Sequence, residues 1–145
     1  MTIGSMISEK GVAVHSVRRN TTVQEAAALL KSKRIGVLII SDNGETIDGI
    51  LSERDIVRGL AGPAGADMLA HPVERYMTRG VVTCAAGDTM TDAMRLMTEN
   101  RIRHLPVVEE GKIRGVISIG DVVKRRLREL EADADAMRDF IATAG

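Results

Sequence analysis

Slid along itself, the chain matches itself, and no other feature constrains its fold as much. An offset of 67 aligns Val14 with Val81, Thr22 with Thr89, Ala26 with Ala93, Leu29 with Leu96, Ile35 with Ile102, Leu38 with Leu105 and Gly44 with Gly111. One residue is then lost. An offset of 66 aligns Gly49 with Gly115, Ser52 with Ser118, Asp55 with Asp121 and Val57 with Val123. Matches that keep their order across a single gap mark two copies of one unit. The copies span residues 8–62 and 75–130, with a connection at 63–74 and an extension at 131–145. A unit of about 55 residues buries its apolar faces poorly alone. The two copies should therefore pack together about a pseudo-two-fold axis, with clefts where equivalent edges meet.

Each copy reads alike. A short apolar strand, Val12–Val17 or Val81–Ala85, comes first. A helix follows, opened by Thr22 with Glu25 or by Thr89 with Asp92, the spacing of a capping box. The helix bodies, Val23–Lys33 and Met90–Asn100, carry apolar residues three and four apart. The near-continuous apolar runs Gly36-Val-Leu-Ile-Ile40 and His104-Leu-Pro-Val-Val108 predict buried strands. Turns at Asp42–Glu45 and Glu109–Lys112 lead into a further strand, ending at Leu51 or Ile117. A second helix starts at Ser52 or Ser118. The fold class is α/β (α+β), a strand–helix–strand–strand–helix unit used twice. The connection holds Gly62-Pro63-Ala-Gly65 and His71-Pro72, so it turns first and then forms a short helix ending near Tyr76.

Composition removes whole classes of function. Lys plus Arg and Asp plus Glu are 20 each, for a net charge of zero, so nothing pulls the chain toward nucleic acid or an anionic membrane. Tyr76 and Phe140 are the only aromatics, too few to stack bases. No apolar run approaches the roughly 20 residues of a membrane span, and the first ten residues lack the pattern of a signal peptide. A single cysteine, Cys84, excludes an internal disulfide framework and fits a reducing cytoplasm. It reads as a small buried hydrophobe. His15, His71 and His104 show no metal-ligand spacing. No nucleophile–base pair, catalytic cofactor loop or phosphate-loop motif is present, so the chain reads as a non-enzyme.

One element recurs that could carry chemistry: Gly49-Ile-Leu-Ser52-Glu-Arg-Asp55 and Gly115-Val-Ile-Ser118-Ile-Gly-Asp121. Ser at a helix N-cap with Asp at the third helical position satisfies amides that the helix leaves open. The same geometry can serve a ligand. Amides and a hydroxyl at a helix start bind phosphate, a carboxylate one turn in can grip two ribose hydroxyls, and the glycine lets a ligand approach the backbone.

These two elements, with Met77-Thr78 ahead of Val81-Val-Thr83 and with Arg103-His-Leu-Pro-Val-Val108, resemble the tandem CBS-domain module, named for cystathionine β-synthase. The resemblance covers nearly all of residues 7–130 and is strongest to small stand-alone bacterial pairs. It implies an adenosine ligand in the cleft between repeats: AMP foremost, with ATP, ADP, NAD or S-adenosylmethionine as others. It assigns ribose to Asp55 and Asp121, and ribose or phosphate to Ser52 and Ser118. Adenine falls to first-strand residues, Val82 and Thr83 in copy two and Ala13 to Ser16 in copy one, each strand serving the other copy's site. Arg103 and His104, beside Pro106, add charge for a phosphate. Arg54 and Arg58 in copy one could do the same, where copy two has Gly120 and Lys124. Copy one has Ile39 in place of Pro106. Two unequal sites are expected, with that of Asp121 the better. Without a ligand the same elements would be helix caps in a scaffold protein.

The extension has its own pattern. Val123, Leu127, Leu130, Ala134, Met137 and Ile141 recur at steps of four and three, a heptad-type stripe. Fewer than three heptads do not stand alone, so the stripe packs either on the chain's own body or, the reading favoured here, against the same helix of a second chain. The resemblance likewise implies a homodimer of four units in a flat disc. Lys124, Arg125, Arg126 and Arg128 are followed at once by Glu129, Glu131, Asp133 and Asp135, a self-cancelling run that argues against nucleic-acid binding. With no effector domain in these residues, output would pass through the dimer or a target protein.

Overall fold

The computed structural model describes residues 2–10 and 14–144. A short helix, α1 (Ile3–Lys10), comes first. Repeat one follows as β1 (Ser16–Val17), α2 (Val23–Lys33), β2 (Val37–Ile40), β3 (Gly49–Ser52) and α3 (Glu53–Leu60). The connection folds as two 3-10 helices: Gly65–Ala70, where a turn was expected, and Val73–Arg75, the short helix expected to end near Tyr76. Repeat two holds α4 (Met90–Asn100), β4 (His104–Glu109), β5 (Lys112–Ser118) and α5 (Ile119–Ala144).

The equivalent helices α2 and α4 open and close alike. Thr22 and Thr89 each accept from the backbone N–H three residues on, and Glu25 and Asp92 accept in return from the backbone N–H of Thr22 and Thr89. Both helices end on an arginine in the left-handed region, Arg34 at φ 55° and Arg101 at φ 53°.

The sheets differ, and one residue explains the difference. In repeat one β1 runs parallel to β2 and β3 antiparallel to it. In repeat two β4 and β5 pair antiparallel, but the strand expected at Val81–Ala85 is reduced to a single parallel bridge between Cys84 and Val107. Cys84 donates to the Pro106 carbonyl (3.0 Å) and Val108 to the Cys84 carbonyl (2.9 Å). The next rung back would need an N–H on Pro106, which proline lacks. Its counterpart Ile39 has one and donates to the His15 carbonyl at 3.1 Å. The strand expected at Val12–Val17 is confined to Ser16–Val17 among the described residues; Ala13 and Val12 lie outside them.

Each repeat completes its core with a segment from ahead of the other. One core gathers Leu30, Leu38, Ile40 and Leu51 of repeat one with Met68, Val73 and Met77 of the connection. The second gathers Met90, Met97, Leu105, Ile117 and Val122 of repeat two with Ile3, Met6 and Ile7 of α1. Met6 and Val73 are equivalent under the 67-residue offset, and both are buried. Backbone bonds fix the crossing: Ile3 donates to the Asp88 carbonyl and Gly4 to that of Ala86, both at 2.8 Å. Ile50 and Thr78 exchange two bonds, at 3.0 and 2.8 Å.

That second crossing corrects one expectation. A Cβ on Gly49 would lie 2.6 Å from the Met77 sulfur and 3.0 Å from the Thr78 carbonyl oxygen. The room beside this glycine is filled by the chain itself, not kept for a ligand.

Cys84 is buried in the second core. Burial, with the nearby Asp88 carboxylate second, pushes its thiol up to about 11 from 9.0. A raised folded value means the stability it contributes is complete below about pH 9 and is lost as the pH rises toward 11. A thiol reagent at pH 8 should therefore leave the folded protein unmodified and label it once urea unfolds it. Labelling of the folded chain at the unfolded rate would contradict this burial.

Helix α5 is one rod of 26 residues, the second helix of repeat two and the extension together. Its counterpart α3 ends at Leu60, just before Gly62 and Pro63. Among the described residues no helix is long and apolar enough to cross a membrane.

Candidate functional site

Both Gly-x-x-Ser-x-x-Asp elements turn a strand into a helix. Ser52 is extended (φ −111°, ψ 164°) and caps α3. Its hydroxyl accepts from the Asp55 N–H at 3.2 Å, while Asp55 Oδ2 accepts from the Ser52 N–H (2.8 Å) and hydroxyl (3.0 Å). In repeat two the Asp121 N–H donates to the Ser118 hydroxyl (3.1 Å) and Asp121 Oδ2 accepts from the Ser118 N–H (2.9 Å). The capping role is thus real in both copies. It occupies mainly one carboxylate oxygen of Asp55; Oδ1 faces the Thr78 hydroxyl at 3.5 Å.

What distinguishes Asp55 is its surroundings. A cavity of about 340 Å³ lies between the repeats, lined from repeat one by Ser52, Glu53, Arg54, Asp55 and Arg58. From beyond repeat one come Thr78, Arg101, Arg103 and His104. Gly36, Val37, Ile50 and Ile102 supply an apolar wall. Four guanidinium groups and an imidazole against two carboxylates make a cleft that favours an anion. Its closeness to His104 follows from the small residue opposite: a Cβ on Gly36 would lie 3.4 Å from the His104 ring.

The structure thereby groups the expected residues differently from the sequence. Arg103 and His104 line the cavity of Asp55 rather than that of Asp121, because the start of β4 faces the helix start of the opposite repeat. Asp121 lines a smaller cavity, about 270 Å³, with Met6, Glu9, Lys124, Arg125 and Arg128. There Arg125 bonds Glu9 of α1, so α1 forms one wall. Ser118 pairs with His104 across the β4–β5 ladder. Pro106 is buried. Val82 packs against the core of repeat two, Thr83 is exposed, and Ser16 is an exposed residue of β1. None of these five lines the cavity of Asp55. Ala13 lies outside the described residues.

Several lining residues carry no role in the sequence reading, Thr78 and Arg101 among them. Thr78 belongs to the Met77-Thr78 pair ahead of Val81, and its backbone bonds to Ile50 of β3 carry it beside Asp55. Arg101 looks like a helix end. Its left-handed backbone would suit glycine better, and the signal that could have found it is that Arg34 and Arg101 recur at the repeat offset. Among the described residues no group of His, Cys, Asp and Glu could hold a metal ion.

Comparison with known proteins gives matches at every level. The CBS domain family model matches residues 7–62 and 73–128. The CBS domain-containing protein YhcV of Bacillus subtilis is 31% identical over 114 residues, 79% of this chain and 79% of that protein. The crystal structure of the CBS-domain containing protein ATU1752 from Agrobacterium tumefaciens superposes with a TM-score of 0.82 at 39% identity, covering 87% of this chain and 99% of the other. CBSX2, crystallised in complex with AMP, superposes at 0.73 with 28% identity, covering 88% and 96%.

Proposed function

The chain belongs to the CBS domain family, and from that premise we propose that it is a non-catalytic regulatory module that binds an adenine nucleotide between its two repeats. AMP is the foremost ligand, with ATP and NAD in the same class. The observation that carries this reading is the cavity at Asp55. It combines a carboxylate for ribose hydroxyls, an apolar wall for a base and a cluster of arginines for phosphate. The AMP complex of CBSX2 supports the ligand class. Asp55 and Ser52 take the ribose, and Arg103, His104, Arg54 and Arg58 the phosphate. Arg101 and Thr78 join them. Asp121 and Ser118, with Lys124 in place of the basic pair, form a second and weaker site. Val82, Thr83, Ser16 and Pro106 lie outside the lining of the Asp55 cavity, and Ala13 lies outside the described residues.

Because the cavity draws its walls from both repeats, a bound nucleotide would favour one arrangement of the pair over others. That shift would be passed on through a homodimer or a target protein in the cytoplasm. The rival reading, a ligand-free scaffold, draws support from the completed caps at Ser52 and Ser118.

Calorimetric titration with AMP, ATP, NAD and S-adenosylmethionine separates the two. Saturable heat with AMP is expected. His104→Ala should weaken AMP by about tenfold or more and adenosine hardly at all, since one charge-assisted bond to phosphate is lost. No heat with any of the four would leave the scaffold reading standing.

A further inference from the structure

The last four turns of α5 stand clear of the body. Every residue from 131 to 144 is exposed, a length of about 21 Å at 1.5 Å per residue. A helical segment of that length is marginal in water without a partner. The stripe along it is open as well: Val123, Leu127, Leu130, Met137 and Ile141 are each between 47% and 63% exposed. Their steps assign Leu127, Ala134 and Ile141 to heptad position a, and Val123, Leu130 and Met137 to position d.

The flanking charges say what covers the stripe. Position g is Arg126, Asp133 and then the exposed Phe140; position e is Lys124, Glu131 and then Arg138. In a parallel, in-register pair each g residue meets the e residue of the next heptad in the other helix. Arg126 would then meet Glu131 of the second copy, and Asp133 its Arg138, both contacts between opposite charges. An antiparallel pair that covers the whole stripe sets Glu131 against Glu131 and Lys124 against Arg138, like against like. An antiparallel pair that repairs those charges slides by one heptad and leaves either Met137 and Ile141 or Val123 and Leu127 uncovered. Within one chain Arg126 bonds Glu129 and Arg138 bonds Asp135, both at 3.2 Å on exposed surface. Such pairs are worth little and exchange readily.

We infer that the partner of this face is α5 of a second copy, joined as a parallel, in-register two-stranded coiled coil. The inference rests on the homodimer proposed above and adds its orientation: the two repeat-two ends lie side by side, with the axis of symmetry along the paired helices.

Cross-linking in the full chain tests the orientation. Leu127 and Leu130 are exposed, so replacing them does not touch the fold, and the buried Cys84 stays out of the reaction. Under mild oxidation Leu127→Cys alone and Leu130→Cys alone should each give a covalent dimer, because a meets a and d meets d in the parallel pair. Cross-linking only in an equimolar mixture of the two variants, or in neither case, overturns the proposal. Sedimentation gives a second arm. Arg126→Glu and Glu131→Arg should each weaken the dimer about five- to tenfold, and the double variant should restore it. A double variant no tighter than the singles overturns the pairing. Neither arm involves nucleotide, so failure here leaves the titrations of the ligand site to be judged separately.

Discussion

A chain carrying both Ile3→Ala and Met6→Ala is expected to lose about 4–8 kcal/mol of unfolding free energy. Both side chains are buried in the core of repeat two, and removing one buried Ile or Met typically costs about 2–5 kcal/mol. The two neighbours share partners, so the sum falls short of strict addition. Total stability of a domain this size is about 5–15 kcal/mol, so the variant approaches unfolding at room temperature. Urea unfolding followed by far-UV circular dichroism gives the loss. Tyr76, packed on the core of repeat one, reports that repeat by its fluorescence. The expected result is an early fall in dichroism that the Tyr76 signal does not share, and the loss is read from that first transition alone. A double variant within 1 kcal/mol of the parent would mean that α1 is an attachment and not part of the core.

Asp55→Ala is expected to weaken AMP binding by about tenfold to several hundredfold. A hydrogen bond to a charged group contributes roughly 1.5–3 kcal/mol, and the carboxylate is assigned two ribose hydroxyls. The same change removes the reciprocal cap at Ser52, so about 1 kcal/mol of stability should go as well. Arg101→Gly provides the contrasting case. Glycine adopts the left-handed conformation of residue 101 more readily, so the fold should hold or gain slightly. The cavity loses one of its four guanidinium groups, so AMP should bind more weakly. A binding defect without a stability defect separates the cleft chemistry from the folding chemistry.

The repeat, the capping boxes at Thr22, Thr89 and Ser52 and all four main helices were legible in the sequence because each depends on residues close together in the chain. Thr22 with Glu25 and Ser52 with Asp55 fix a helix start within four residues. The shortened first strand of repeat two was legible in principle, since Pro106 has no N–H to give a parallel neighbour. Other features depend on how the repeats cross. Ile3, Met6 and Ile7 are an unremarkable short apolar pattern until the residues they bury against, about 80 to 120 positions later, are brought to them. The offset aligns Arg103 and His104 with Gly36 and Val37, and so suggests a site within copy two. Packing of the repeats instead carries the pair to the Ser52 and Asp55 helix start. Thr78 arrives there by the same route, through backbone bonds to Ile50 that no local pattern encodes. The exposed stripe on α5 was visible as a heptad, but its exposure was not.

Substitution by asparagine tests most directly whether the repeated carboxylates bind nucleotide as well as cap helices. Asparagine keeps an oxygen for the Ser52 or Ser118 amide, so melting temperature should change little, but it cannot accept from two hydroxyls as a carboxylate does. Calorimetric titration of AMP and NAD into Asp55→Asn and Asp121→Asn is predicted to show strong loss of binding for Asp55→Asn and a smaller loss for Asp121→Asn. If both variants bind AMP and NAD as tightly as the parent, the carboxylates are helix caps and the nucleotide, if one binds, is held elsewhere.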